Sequence, residues 1–151
     1  MQQIIYPNKI ILPEIEKLLN ENHPVIVKVK GNSMLPFIVG ERDSVELLKP
    51  LSLEVGDIVL AHLPNDQYVI HRIVGFKGDE VRLMGDGNIC QVEICQRNKI
   101  SGKVIRVIRK NKSIFCARRK ERIKAAIWKK LLPLRRYLLV IYKLTHKKQE
   151  H

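Results

Sequence analysis

Cysteine is scarce in this chain of 151 residues: only Cys90, Cys95 and Cys116 occur, with no CxxC spacing. An odd number of thiols so arranged excludes a disulfide framework and points to a reducing compartment. No paired histidine spacing accompanies them, so no metal or other cofactor is expected, and the three read as small buried hydrophobes. Long apolar runs are missing as well. Nothing approaches the roughly 18–20 residues that span a bilayer. The N-terminal Met1-Gln2-Gln3-Ile4-Ile5-Tyr6-Pro7 has neither the basic start nor the apolar stretch of a signal peptide. The expected location is cytoplasmic, or peripheral at the inner face of a membrane. Acidic residues, finally, are nearly absent from the last third. Lys103–His151 holds 17 Lys/Arg against 2 Asp/Glu, whereas residues 1–102 hold 11 against 13, so the net charge of +13 is all in the C-terminal part. That asymmetry describes a basic extension on a near-neutral domain.

What is present begins with 45 % hydrophobic residues, enough for a packed core. Pro13–Asn20 reads as a short helix, with Pro13 in the first turn and Ile15, Leu18 and Leu19 on one face. Val25–Lys30 alternates as a strand. Further strands are expected at Ser44–Leu48, Ile58–His62, Gln67–Val74, Glu80–Met84 and Lys103–Arg109, separated by Gly-, Pro- and Asp-rich turns. Short strands at this spacing predict a mainly β fold, a compact coiled antiparallel sheet or barrel. From Ala117 the period changes: Ile123, Ile127 and Leu131 recur every four residues, Pro133 interrupts, and Leu134, Tyr137, Leu138 and Ile141 resume. The expected organisation is an N-terminal segment over residues 1–24, a β domain over 25–112 and a basic helical tail over 113–151.

Gly31-Asn32-Ser33-Met34-Leu35-Pro36 places a serine in a glycine-flanked, proline-terminated turn. A serine hydroxyl needs a neighbouring base and oxyanion donors to act as a nucleophile. His71 lies on a strand face with Val69 and Ile73. Such a histidine is either a satisfied core residue or a desolvated general base. Asp86, in Gly85-Asp86-Gly87-Asn88, either holds that imidazole or forms an Asx turn. His62 is a rival base.

The hexapeptide, Val55-Gly56-Asp57-Ile58-Val59, Val69-Ile70-His71-Arg72-Ile73 and Gly85-Asp86-Gly87-Asn88 occur in this order. They resemble the successive boxes of the type I signal peptidase family, within the wider group that includes the self-cleaving LexA-type repressors. The resemblance covers Val25 to Arg109. Histidine at the base position, where bacterial signal peptidases carry lysine, is similar to the archaeal, endoplasmic-reticulum and sporulation-type branch. The resemblance implies Ser33 as nucleophile, His71 as base and Asp86 as supporting acid, with Gly31, Ser33, Met34 and Pro36 shaping the oxyanion turn. There are departures. Gly31 stands where many bacterial members carry a hydroxyl. Gly40-Glu41-Arg42-Asp43 replaces a direct Gly-Asp. The further acid of the eukaryotic branch has Glu93 as its nearest counterpart, and the residues before Ser33 are not apolar enough to form the family's usual N-terminal membrane anchor. The implied activity is a serine endopeptidase acting on a peptide or protein precursor; the alternative is an inactive binding or regulatory module of the same fold.

In the tail, Arg118, Arg119, Lys120, Arg122, Lys124, Lys129, Lys130, Arg135 and Arg136 crowd around Ile123, Ile127, Trp128, Leu131, Leu134 and Leu138. Three readings fit: a solvated helix packing its stripe on the β domain, a helix on an anionic membrane surface anchored by Trp128, or a site for nucleic acid or an acidic partner. The membrane surface is the expected outside partner, with nucleic acid behind it. Nothing in the sequence sets an oligomeric state.

Overall fold

The computed structural model describes residues 4–5 and 10–147. In chain order the elements are β1 (Ile4–Ile5), α1 (Leu12–Asn20), β2 (Val25–Lys28), β3 (Asp43–Leu48), β4 (Ile58–His62), β5 (Tyr68–Lys77), β6 (Glu80–Met84), β7 (Glu93–Gln96), β8 (Ile100–Arg109), β9 (Lys112–Phe115), α2 (Arg119–Lys130) and α3 (Arg135–Lys147). The nine strands form one sheet in the order β1-β2-β3-β8-β4-β5-β6-β7, with β9 beside β8. All pairs are antiparallel except β1–β2. The mainly β, coiled sheet expected from the sequence is what forms.

The coiling comes from β8. One of its edges pairs with β3; the other pairs with β4 near Ile100–Lys103 and with β9 near Arg106–Arg109. Bulges at Glu46/Leu47 and Leu60/Ala61 sharpen the bend. The sheet then has a core on each face, and β4 feeds both. Ile58 and Leu60 join the cluster built with α1, β2 and β3, while Val59 and Ala61 join the cluster built with β5 and β6. A strand covered on both faces needs a continuous apolar run, and Ile58-Val59-Leu60-Ala61 supplies it. On α1, Ile15 and Leu19 are fully buried, as its periodicity predicts.

Boundaries differ in detail. The first helix starts at Leu12, the strand from Val25 stops at Lys28, and the strand carrying His71 continues to Lys77. Three strands fall where none was expected. β1 and β7 are two, and β9 takes Lys112–Phe115 out of the stretch assigned to the tail.

The C-terminal periodicity gives α2 and α3, with Pro133 in a 3-10 turn between them. Both pack inward. Trp128 and Leu139 form a third cluster with Leu35, against which Phe37, Val39 and Leu138 pack. Arg122 ties α2 to the sheet through Asp57 at 2.9 Å. No helix among the described residues is long and apolar enough to cross a bilayer.

Candidate active site

The turn carrying Ser33 is held from both sides. Met34 sinks into the first core, Leu35 into the cluster beneath the C-terminal helices, and both are almost fully buried. Ser33, immediately before them, stays exposed. Phe37 and Ile38 donate their N–H groups to the Met34 carbonyl, each at 3.0 Å, which closes the turn. Gly31 opens it at φ +75°, a backbone conformation that side-chain-bearing residues avoid. The N–H groups of Ser33 and Met34 find no acceptor among the described residues, so two adjacent donors are free.

The Gly85–Asn88 loop closes over this turn. Gly87 donates its N–H to the Ser33 carbonyl at 2.8 Å, and the Asp86 N–H points to the Met34 sulfur at 3.4 Å. Gly85 must be glycine because of close approach. A Cβ there would lie 2.4 Å from the Ser33 carbonyl oxygen and 3.2 Å from Nε2 of His71. The same point thus touches the serine backbone and the imidazole.

His71 sits mid-strand on β5 and is 5 % exposed. Its Nδ1 lies 3.0 Å from Oε2 of Glu93. A carboxylate only accepts, so Nδ1 carries the proton and Nε2 is left as the basic nitrogen. Nε2 has no hydrogen-bond partner among the described residues. No buried side-chain nitrogen or oxygen among the described residues lacks one, so Nε2 is open to the cleft rather than sealed. Ser33 and His71 both line that cleft, of about 430 Å³, together with Val29, Met34, Tyr68 and Ile70. The serine hydroxyl makes no hydrogen bond to the imidazole or to any other described residue. The hydrogen bond between a nucleophile and its base commonly tightens only when substrate binds.

The acid expected from the sequence is not the one beside the imidazole. Both carboxylate oxygens of Asp86 are taken by Arg72, at 2.9 and 2.7 Å, and its carbonyl accepts from the Trp128 indole N–H at 2.8 Å. Asp86 is 1 % exposed and neutralised by that guanidinium, so it holds the loop down. Glu93 occupies the place beside Nδ1. Sequence reasoning found Glu93 only as the nearest acid; what puts it there is β7, whose pairing sets Glu93 opposite Leu83 of β6, itself opposite Ile73 of β5. His62, the rival base, pairs with exposed Asp66 at 2.7 Å and stacks on Tyr68, and is not among the cleft-lining residues.

Two residues expected to make outward contacts from the tail point inward. Trp128 is 9 % exposed and Arg135 3 %. Arg135 donates to the Trp128 carbonyl and, at 3.2 Å, to the Asn88 carbonyl; burial holds its guanidinium below the ordinary arginine value, with the Asp86 carboxylate opposing that shift. Both therefore grip the loop that grips Ser33. The others stay outside. Arg119, Lys120 and Lys130 are exposed, Lys124 meets Glu121, Lys129 reaches the Val74 carbonyl, and Arg118 and Arg136 lie over Phe115 and Tyr137. Among the described residues no cluster of His, Cys, Asp and Glu could hold a metal ion.

No curated protein matches the chain. A family model does, across residues 2–105, from β1 through most of β8. That span contains the Ser33 turn, His71, the Gly85–Asn88 loop and Glu93. The chain belongs to the Peptidase S24-like family.

Proposed function

We propose that the chain is a serine endopeptidase of the histidine-base type, cleaving a peptide or protein precursor of the signal- or leader-peptide kind. The observation that carries this is the His71 ring: Nδ1 is fixed by Glu93, and Nε2 is open to a cleft that Ser33 also lines. A structural core histidine would have both nitrogens satisfied. Here one is held and one is left available, the arrangement a general base requires.

The chemistry follows from the parts. The Ser33 hydroxyl rotates toward Nε2, gives up its proton and attacks the scissile carbonyl. The free N–H groups of Ser33 and Met34 receive the oxyanion. Imidazolium, stabilised by the Glu93 carboxylate, returns the proton to the leaving amine, and water repeats the cycle on the acyl-enzyme. The substrate lies extended in the cleft between residues 28–30 and 67–70, with its side chains against Val29, Met34 and Ile70.

Labelling with a serine-reactive covalent probe tests the reading. The wild-type chain is expected to label at one site. Ser33→Ala should abolish labelling, and His71→Ala should slow it roughly a thousandfold or more. His62→Ala should leave it unchanged. A folded wild-type chain that takes no label, or a Ser33→Ala chain that labels equally well, rejects the proposal.

A further inference from the structure

With their inner faces committed to one cluster around Leu35, α2 and α3 turn a second, unpartnered face outward. On α3 it is a stripe at helical spacing: Tyr137, Val140, Ile141 and Leu144. On α2 it is Ile123 and Ile127. These six are between 49 % and 62 % exposed. The turn between the helices adds exposed Leu132 and Leu134. Buried Trp128 and Leu139 mark the opposite side of each helix, so the apolar side chains outside are not the edge of a core. Exposed apolar side chains grouped on one face of each helix in this way mark an interaction site.

Cations frame the stripe. Lys120 and Lys130 share the outward face of α2 with Ile123 and Ile127, and Arg136 and Lys143 flank the stripe on α3; all four are exposed. Over residues 119–147 there are ten Lys/Arg and one acid, Glu121, which is occupied by Lys124. A second copy of this face would bring like charges together. A nucleic acid would satisfy the cations and leave the leucine and isoleucine side chains in water. The partner that satisfies both is a sheet of anionic headgroups over hydrocarbon. Neither helix can span it, so they would lie in its plane.

We infer that the outward face of α2 and α3 is a docking surface for an anionic lipid bilayer. It comprises Ile123, Ile127, Tyr137, Val140, Ile141 and Leu144 with their cationic flanks, and it excludes Trp128 and Arg135. It does not depend on whether Ser33 cuts.

Co-sedimentation of the full chain with vesicles tests it. Vesicles of phosphatidylcholine containing about a third phosphatidylglycerol should bind at least about tenfold more tightly than phosphatidylcholine alone, because each cation near the surface adds to the attraction. Ile141→Asp with Leu144→Asp should weaken that binding about tenfold or more at an unchanged thermal midpoint, since both side chains are already in water. Trp128 emission should be unaffected by acyl-brominated lipid, whereas an added Val140→Trp should be quenched. Equal binding to neutral and anionic vesicles, or none to either, overturns the inference. So does undiminished binding by the double variant, which would make the attraction purely electrostatic. Quenching of Trp128, or a dimer that the double variant dissolves, overturns it too, the latter in favour of a self-association face.

Discussion

Asp86 and Glu93 are both carboxylates that the chain brings close to the site, and their neighbours separate what they do. Asp86 is neutralised by Arg72, whose side chain is itself only 11 % exposed. Asp86→Asn therefore leaves a nearly buried guanidinium unpaired, at a cost of about 3–5 kcal/mol. The expected result is a lower thermal midpoint, with a labelling rate at Ser33 little changed below it. Among the described residues, Glu93 is the only carboxylate on the His71 ring. Glu93→Gln can still accept from Nδ1 but cannot stabilise imidazolium, so the labelling rate should fall roughly tenfold to a hundredfold at a nearly constant midpoint. The reverse pattern would return Asp86 to the role the sequence suggested. Local sequence could not decide between them. Gly85-Asp86-Gly87-Asn88 advertises a functional loop, and it is one, but Arg72, fourteen residues earlier, captures the carboxylate. That capture is a through-space event which alternation along β5 does not encode. The expectation that the cysteines are small buried hydrophobes holds for Cys95, holds in part for half-buried Cys116 and fails for Cys90. Burial pushes the Cys116 thiol up to about 11 and also raises Cys95, while Cys90 is exposed. A native thiol assay at pH 8 should find one fast group, Cys90, because at that pH only about one Cys116 in a thousand is thiolate.

At the scale of elements, the C-terminal helices serve the site through its loop. Trp128 and Arg135 hold the Asp86 and Asn88 carbonyls, and the loop between those carbonyls donates Gly87 N–H to the Ser33 carbonyl. Trp128→Phe keeps the ring and removes the indole N–H, leaving a buried carbonyl without its donor at about 1–3 kcal/mol. The Gly87 amide should then exchange its hydrogen about tenfold faster or more, while amides of β4, in the core, hold their protection. Equal protection at Gly87 would show the loop to be fixed without the helices. This dependence explains which elements could be read from the sequence. β4, β6 and the two helices were legible because one strong pattern specified each: a doubly buried run, an alternating segment after a Gly-Asp turn, a four-residue period. β7 was not, because its isoleucine faces out, 46 % exposed, and its cysteine faces in, which inverts the expected signal. β9 was hidden by its turn. Lys110 takes the positive φ between Arg109 and Lys112, where glycine or asparagine would have announced a hairpin.

Over the whole molecule, the four buried acids among the described residues, Asp43, Glu46, Asp57 and Asp86, are each paired to an arginine, and excess cations lie outside on the helices. Asp43 is the deepest of these acids, fully buried where β3 meets β8. Burial alone would raise its pKa. Hydrogen bonds from Arg109, Arg42 and the Val39 N–H outweigh that, and hold the carboxyl below its ordinary 3.8. A carboxyl whose pKa is lower folded than unfolded stabilises the fold at pH values above the unfolded value, and loses that contribution as pH falls through the folded one. Asp43 should therefore support the fold undiminished from neutrality down to about pH 4 and progressively less below it. Asp43→Asn provides the reference. At pH 7 it should be less stable by about 3 kcal/mol, because two partly exposed guanidinium groups lose a buried partner. The gap between the two proteins should then close as the pH is lowered toward 2, where wild-type Asp43 is also losing its charge. Denaturant midpoints from pH 7 downward measure that gap directly. A gap that stays constant across the range would mean that the network stabilises by shape and hydrogen bonding alone. A closing gap identifies the buried carboxylate charge as what fastens β3 to β8, and with them the strand framework from which both the Ser33 turn and β5 are hung.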